Sequence, residues 1–238
     1  MDAMPVSKRT EMNYADFMKL VKISKEDIYL RTFEENRERI LVKKEAKVVK
    51  NMEKIFDATL RISNRKGFQA MTMRDLSGET GLSMGALYSY FPSKEKLLEI
   101  LQKQHRRVAR RIFDTCVGDI EGAQAKLRAA IRTHLFLSEI MQSWFYFSFM
   151  EAKNLVKPER ERTIAGDMYT DGMFAEILRQ GQAEGDFVRH DEQLAANVIK
   201  AVLQDWYLKR KKYAKQNVSV DDYAGFVLDL VERYLAGK

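Results

Sequence analysis

The chain has 238 residues, 45% hydrophobic and 32% charged, with three prolines, twelve glycines and one cysteine, which supplies a packed core and excludes a disulfide-stapled scaffold. Its longest apolar run, Ser143 to Met150, falls far short of the about 20 residues that span a bilayer, and no apolar leader with a cleavage site opens it, so it reads as cytoplasmic. The net charge of +7 is lopsided, with 24 Lys/Arg against 16 Asp/Glu in residues 1–117 and 17 against 18 in residues 118–238; a positive excess confined to one half suits a polyanionic partner there.

Scarce helix breakers and abundant Leu, Ala, Lys, Glu, Arg and Met predict an all-α fold. Residues 1–47 form a charged helical extension of unknown role. Tyr14, Phe17, Met18, Leu20 and Val21 recur at helical spacing, and Ser24 or Asp27 starts a further helix through Leu41. Lys43, Lys44, Lys47 and Lys50 lead into the next element. Two readings of the extension stand, a cap packed on the body or an arm reaching for DNA. From Val48 an apolar stripe through Met52, Ile55, Phe56, Thr59 and Leu60 predicts a helix closed by Gly67. Thr72 caps Met73 to Glu79, Thr80-Gly81-Leu82-Ser83 makes a tight turn, and Ser83 caps Met84 to Tyr90. Phe91-Pro92 stops that helix, and Ser93 starts a long one reaching Gly118. Further helices are expected over Glu121 to Met141, Ser143 to Leu155, Pro158 to Glu184, Asp191 to Tyr213 and Ser219 to Leu235.

Two short helices joined by a glycine-containing turn form a helix-turn-helix unit, placed at residues 48–101. Its second helix exposes Gly85, Ala86, Ser89 and two tyrosines, small residues where a helix must enter the major groove closely. Tyr88 and Tyr90 carry hydroxyls for phosphate oxygens, and Lys94 adds charge beside a helix N-terminus. Leu87 and Phe91 read as core, and Asp75-Leu76-Ser77 as internal contacts of the unit.

The stretch from Ile55 to Leu101, with Gly67-Phe68, Thr72-Met73, Leu76, Thr80-Gly81-Leu82-Ser83, Gly85, Leu87-Tyr88, Tyr90-Phe91 and Ser93-Lys94-Glu95, resembles the DNA-binding domain of TetR-family repressors. The resemblance implies operator DNA as partner and a homodimer whose recognition helices sit about 34 Å apart. It places Tyr88, Tyr90 and Lys94 at phosphate-contacting positions, Thr72 at a backbone contact, and Ser83, Met84, Gly85 and Ala86 against bases or neighbouring backbone. Many relatives carry a polar or basic residue at Met84 and Thr or Ser at Ala86. Their absence points to fewer hydrogen bonds to bases, with thymine-methyl contact and DNA shape supplying more of the specificity.

Residues 102–238 are expected to bind an effector and dimerise. The resemblance implies that the last two long helices pair with a second subunit, and Leu194, Val198, Val202 and Trp206, then Phe226, Val227, Leu230, Val231 and Tyr234, supply apolar faces for burial. The cluster from Trp144 to Met150 is apolar nearly all round, which predicts a central, surrounded helix. Candidate effector-pocket residues are Phe136, Trp144, Phe147, Met150, Met168, Phe174 and Ile177, with solid core as the alternative. Gly181 to Phe187, Ala195-Ala196, and Trp206 with Lys209 to Tyr213 resemble the regulatory domain of the family's fatty-acid-degradation repressors, which sense long-chain acyl-coenzyme A. Lys153, Lys157, Arg160 and Arg162 are available for its phosphates; a hydrophobic or aromatic effector fits as well.

Catalysis finds no support. No Glu stands three residues before His105, His134 or His190, as a di-iron bundle needs. Neither a phosphate-binding Gly-x-x-x-x-Gly-Lys loop nor a Gly-x-Ser-x-Gly elbow is present, and Cys116 reads as a small buried residue. No cofactor or metal is expected. The rivals to a ligand-responsive repressor are a constitutive architectural DNA binder and a helical-bundle enzyme.

Overall fold

Glycines and polar caps divide the sequence into helices, and the computed structural model starts and stops its elements at those residues. The structure describes residues 9–21, 30, 32–35, 37, 45–152 and 157–237, with only the backbone for 45, 157–169 and 171. The helices are α1 (Tyr14–Val21), α2 (Glu45–Lys66), α3 (Met73–Thr80), α4 (Met84–Tyr90), α5 (Lys94–Val117), α6 (Ala123–Ile140), α7 (Gln142–Glu151), α8 (Lys157–Glu184), α9 (Glu192–Leu208), α10 (Arg210–Lys215) and α11 (Val220–Leu235). No strand occurs among the described residues, and the fold is all-α. The helix expected over Asp191 to Tyr213 is two: Lys209, at φ −114° and ψ 26°, interrupts it, and the break brings Arg210 onto Glu139.

The chain forms two contact units. One holds Ile23–Val108 and Ser143–Thr163, the other Met1–Lys22, Ala109–Gln142 and Ile164–Lys238. These contact units draw other boundaries than the sequence-derived 47 and 101: α5 is shared between them, the aromatic helix α7 joins the unit expected to bind DNA (the DNA-binding unit) from Ser143 onward, and residues 9–21 of the extension join the unit expected to be regulatory (the regulatory unit).

In the DNA-binding unit, Met52, Ile55, Phe56, Leu60 and Ile62 of α2 are buried with Leu76, Leu87, Phe91, Leu97, Leu98 and Leu101. Burying each such side chain contributes about 1.5–3 kcal/mol. Trp144 meets Phe56 edge-on at 6.0 Å, and Phe147 meets Phe68 at 5.9 Å. Helix α7 is not surrounded, because Phe149 and Met150 are 46% and 40% exposed.

The central helix of the regulatory unit is instead α6. From Ala129 through Ser138 it is buried at every residue but Arg132. Helices α1, α9 and α11 pack on it. Gly122 has no side chain with which to cap it, and Glu184 accepts the Ala123 amide in its place at 3.1 Å. Glu232 takes Arg128 in a bidentate pair. Phe17 is fully buried against Phe136, and Arg9 forks onto Asp119. Residues 9–21 thus pack as a cap on this unit; most of the helix expected from Ser24 to Leu41, with Lys43 and Lys44, lies outside the described residues.

Candidate nucleic-acid interface

Helix α3 begins at a capping box. The Thr72 hydroxyl oxygen accepts the Asp75 amide at 3.1 Å, and an Asp75 carboxylate oxygen accepts the Thr72 amide at 2.7 Å. Lys66 donates to the same carboxylate oxygen at 2.7 Å. The Lys66 ammonium and Thr72 hydroxyl hold the Asp75 carboxyl well below the ordinary carboxylate range. Asp75 is therefore a cap and not an apolar contact of the unit. Leu76 fills the core, and the Ser77 hydroxyl fastens the turn by donating to the Leu82 carbonyl at 2.6 Å.

Gly81 adopts φ 70° and ψ 11°, the left-handed geometry that ends α3 without a Cβ penalty. Two residues later Ser83 caps α4, its hydroxyl oxygen accepting the Ala86 amide at 3.2 Å. Leu87, Tyr90 and Phe91 turn inward at helical spacing, so Ser83, Gly85 and Tyr88 face outward, with Met84, Ala86 and Ser89 half-buried between. Tyr88 is 48% exposed. A Cβ built at Gly85 meets no heavy atom within 4 Å, so the fold itself does not need glycine there. The outer face of α4 is small, uncharged and open, as groove entry requires.

At two of the expected phosphate contacts the side chain is engaged within the fold. Tyr90 is 2% exposed, and its hydroxyl accepts from Asn51 Nδ2 at 2.9 Å inside the unit. It is a core residue. Lys94 directs its ammonium at three carbonyls of the α2–α3 link, Phe68 at 3.3 Å, Gln69 at 3.0 Å and Met71 at 3.2 Å, and lies over the Phe68 ring. An ammonium has three protons to donate, so these carbonyls use all of them. Arg74, which sequence reasoning passed over, is exposed on the first turn of α3; its place just after the Thr72 cap was the available signal.

The expected effector residues are divided between the units. Phe136, Phe174 and Ile177 are buried in the regulatory unit; Trp144, Phe147 and Met150 belong to the DNA-binding unit. The Met168 side chain lies outside the described residues, as do Lys153 and the side chains of Lys157, Arg160 and Arg162. A cleft of about 370 Å³ in the regulatory unit is lined by Thr10, Glu11, Arg128, Arg132, Asp229 and Glu232 among others, none of them an expected effector residue. Cys116 is fully buried, and burial pushes its thiol up to about 11. Among the described residues no helix is long and apolar enough to cross a membrane.

With this geometry in hand, comparison places the chain among known proteins. Residues 55–101 match the family model described as bacterial regulatory proteins, tetR family, and residues 121–230 match one described as tetracyclin repressor-like, C-terminal domain. The HTH-type transcriptional repressor KstR of Mycobacterium tuberculosis is 27% identical over 164 residues, 66% of this chain and 71% of that protein. AibR, solved with isovaleryl coenzyme A and operator DNA, superposes with a TM-score of 0.66 at 18% identity, covering 78% of this chain and 98% of that one. FadR of Bacillus subtilis, solved with stearoyl-CoA, gives a TM-score of 0.61 at 18% identity over 77% and 98%.

Proposed function

This chain belongs to the TetR family of DNA-binding transcriptional regulators and is not an enzyme, and on that premise we propose that it is a ligand-released repressor gripping a two-fold operator as a homodimer. The observation that carries the DNA contact is the outer face of α4, where Ser83, Gly85 and Tyr88 are open and Gly85 has no partner in the fold. Ser83, Met84, Gly85 and Ala86 lie against base edges, Tyr88 and Ser89 reach phosphate, and Thr72 approaches the backbone. Tyr90 and Lys94 act indirectly, one as core under the recognition helix, the other by fixing the link that leads into α3.

Dimerisation is supported by an apolar face left open on α9 and α11. Leu194, Val198, Phe226, Leu230 and Tyr234 are 61%, 56%, 67%, 49% and 55% exposed. Monomers rarely leave so many large apolar side chains on neighbouring helices in water. A two-fold pairing of this face presents two recognition helices to two half-sites.

The effector is a small hydrophobic molecule in the regulatory domain, and an acyl-coenzyme A is the first class to test, because AibR and FadR hold such molecules in their own structures. Its influence runs to DNA along α5, α7 and α8, the described helices through which the chain passes between units. The effector releases DNA only by as much as it favours the non-DNA conformation. The test is a thermal-shift screen of acyl-CoAs, fatty acids and aromatic compounds, with binding to DNA from the upstream region of the protein's own gene followed in parallel. A compound that raises the melting temperature and releases DNA supports the proposal; DNA binding unmoved by every stabilising compound sinks effector release and favours a constitutive binder.

A further inference from the structure

The cleft of about 370 Å³ lies wholly within the regulatory unit, between Thr10 and Glu11 of the N-terminal segment, Arg128 and Arg132 of α6, and one side of α11. Most of its charges are answered inside the fold. Arg128 forks onto Glu232, and Asp229 accepts from Arg233, one turn on, at 2.9 Å. Arg132 differs. It is the one residue from Ala129 to Ser138 that is not buried, and its Nε donates to the Thr10 carbonyl at 3.1 Å. Among the described residues no ion pair includes it, and the two terminal nitrogens of its guanidinium have no hydrogen-bond partner and are open to solvent. Burial pushes that guanidinium down against the pull of Asp221, Glu11 and Glu232, so its charge is only partly compensated where it stands.

Gly225 adds a second observation. It lines the cleft from inside α11, where glycine weakens a helix relative to alanine. A Cβ built there meets no heavy atom within 4 Å, so close packing does not require glycine. Its missing side chain leaves room in the cleft. With Nε committed to Thr10, the Arg132 guanidinium keeps its end-on fork, a planar pair of donors that fits the two oxygens of a carboxylate. Three carboxylates, those of Glu11, Asp229 and Glu232, share the lining with the two guanidinium groups. A multiply charged anion such as phosphate would meet repulsion there, whereas an ammonium on the same ligand answers Glu11, which pairs with no cation among the described residues.

We propose that this cleft binds a small zwitterion of the α-amino-acid class, its carboxylate forked by Arg132 and its ammonium turned to Glu11. The N-terminal segment thereby gains a role: it supplies one wall and, through the Thr10 carbonyl, fixes the guanidinium. None of the expected effector residues lines the cleft, and the inference stands without the hydrophobic-effector and DNA-binding readings.

The test uses the full chain and isothermal titration calorimetry, with each standard amino acid as probe at up to about 10 mM. At least one is expected to bind, and its carboxamide and its deaminated acid to bind about tenfold more weakly or worse. Gly225→Leu fills the cleft from a helix position with free space and leaves Arg132 untouched. It should weaken binding of that amino acid by about tenfold or more without lowering the melting temperature. Arg132→Gln should weaken it as much; if that variant fails to fold, Gly225→Leu decides. Binding by none of the amino acids overturns the proposal. So does a folded Gly225→Leu protein that binds as wild type does, or a carboxamide or deaminated acid that binds as tightly as the amino acid.

Discussion

Glu151, the last residue of α7, accepts the backbone amide of Phe68 at 3.0 Å, while Lys94 donates to the carbonyl of that same Phe68 at 3.3 Å. A carboxylate and an ammonium thus grip one residue of the α2–α3 link from its two polar sides. The link is where the chain enters the helix-turn-helix, so both side chains set the attitude of α3. Removing Glu151 leaves the buried Phe68 amide unpaired, at about 1–3 kcal/mol; without Lys94 the Phe68 carbonyl still accepts the Met71 amide at 3.1 Å, and the loss falls on the part-buried Met71 carbonyl. Glu151→Ala is expected to lose about 1–3 kcal/mol in urea denaturation, and Lys94→Met a smaller part of that. A Lys94→Met protein of wild-type stability that merely bound DNA less well would return Lys94 to the role of a phosphate contact.

Tyr88 and Tyr90 are separable by the same logic. Tyr90→Phe strips Asn51 of its buried acceptor and should cost about 1–2 kcal/mol of stability. Tyr88→Phe changes a side chain that is 48% exposed and should leave stability within about 0.5 kcal/mol while weakening DNA binding. Chemical denaturation and DNA titration of the two variants check the split. Equal loss of DNA affinity without loss of stability in Tyr90→Phe would put its hydroxyl at the DNA after all.

Helix ends were legible in the sequence because their determinants are local. Thr72, Gly81, Ser83 and Pro92 act within a turn of themselves. The two tyrosines were also separable there, since residues two apart point about 200° from each other on a helix and Leu87, Tyr90 and Phe91 share the inward face. Lys94 and Glu151 were not. Their partners lie 23–26 and 83 residues away, and no periodicity encodes such a meeting. The aromatic run of α7 predicts a central helix, as pocket lining or as solid core, because its composition states burial without naming a neighbour; Trp144 and Phe147 find theirs in α2 and the α2–α3 link.

The capping box of α3 carries a pH signature. Lys66 and Thr72 lower the Asp75 carboxyl below its usual value of 3.8, so the unfolded chain takes up that proton at higher pH than the folded one. The contribution of Asp75 is complete above about pH 5, falls as pH drops below the unfolded value, and vanishes beneath the folded one. Asp75→Asn should therefore have a lower urea midpoint than wild type at neutral pH, and the gap should close on acidification below about pH 4. A gap that stayed constant down to pH 2 would mean that the ionised carboxylate is not what the cap uses.

Phe226 and Leu230 stand four residues apart on α11, both turned away from a core that Ala224, Val227, Leu228 and Val231 already fill. With the fold complete without them, charging that face leaves the monomer intact while forbidding a dry pairing of two copies. Phe226→Asp with Leu230→Lys is expected to retain its helical circular dichroism and convert a dimer to a monomer in sedimentation equilibrium. Its affinity for a two-half-site operator should fall by at least about tenfold, because a monomer holds one half-site and loses the effective concentration that the partner supplies. If the wild-type chain already sediments as a monomer, or the variant stays dimeric, α9 and α11 do not form the interface and the two half-sites must be brought together by another surface.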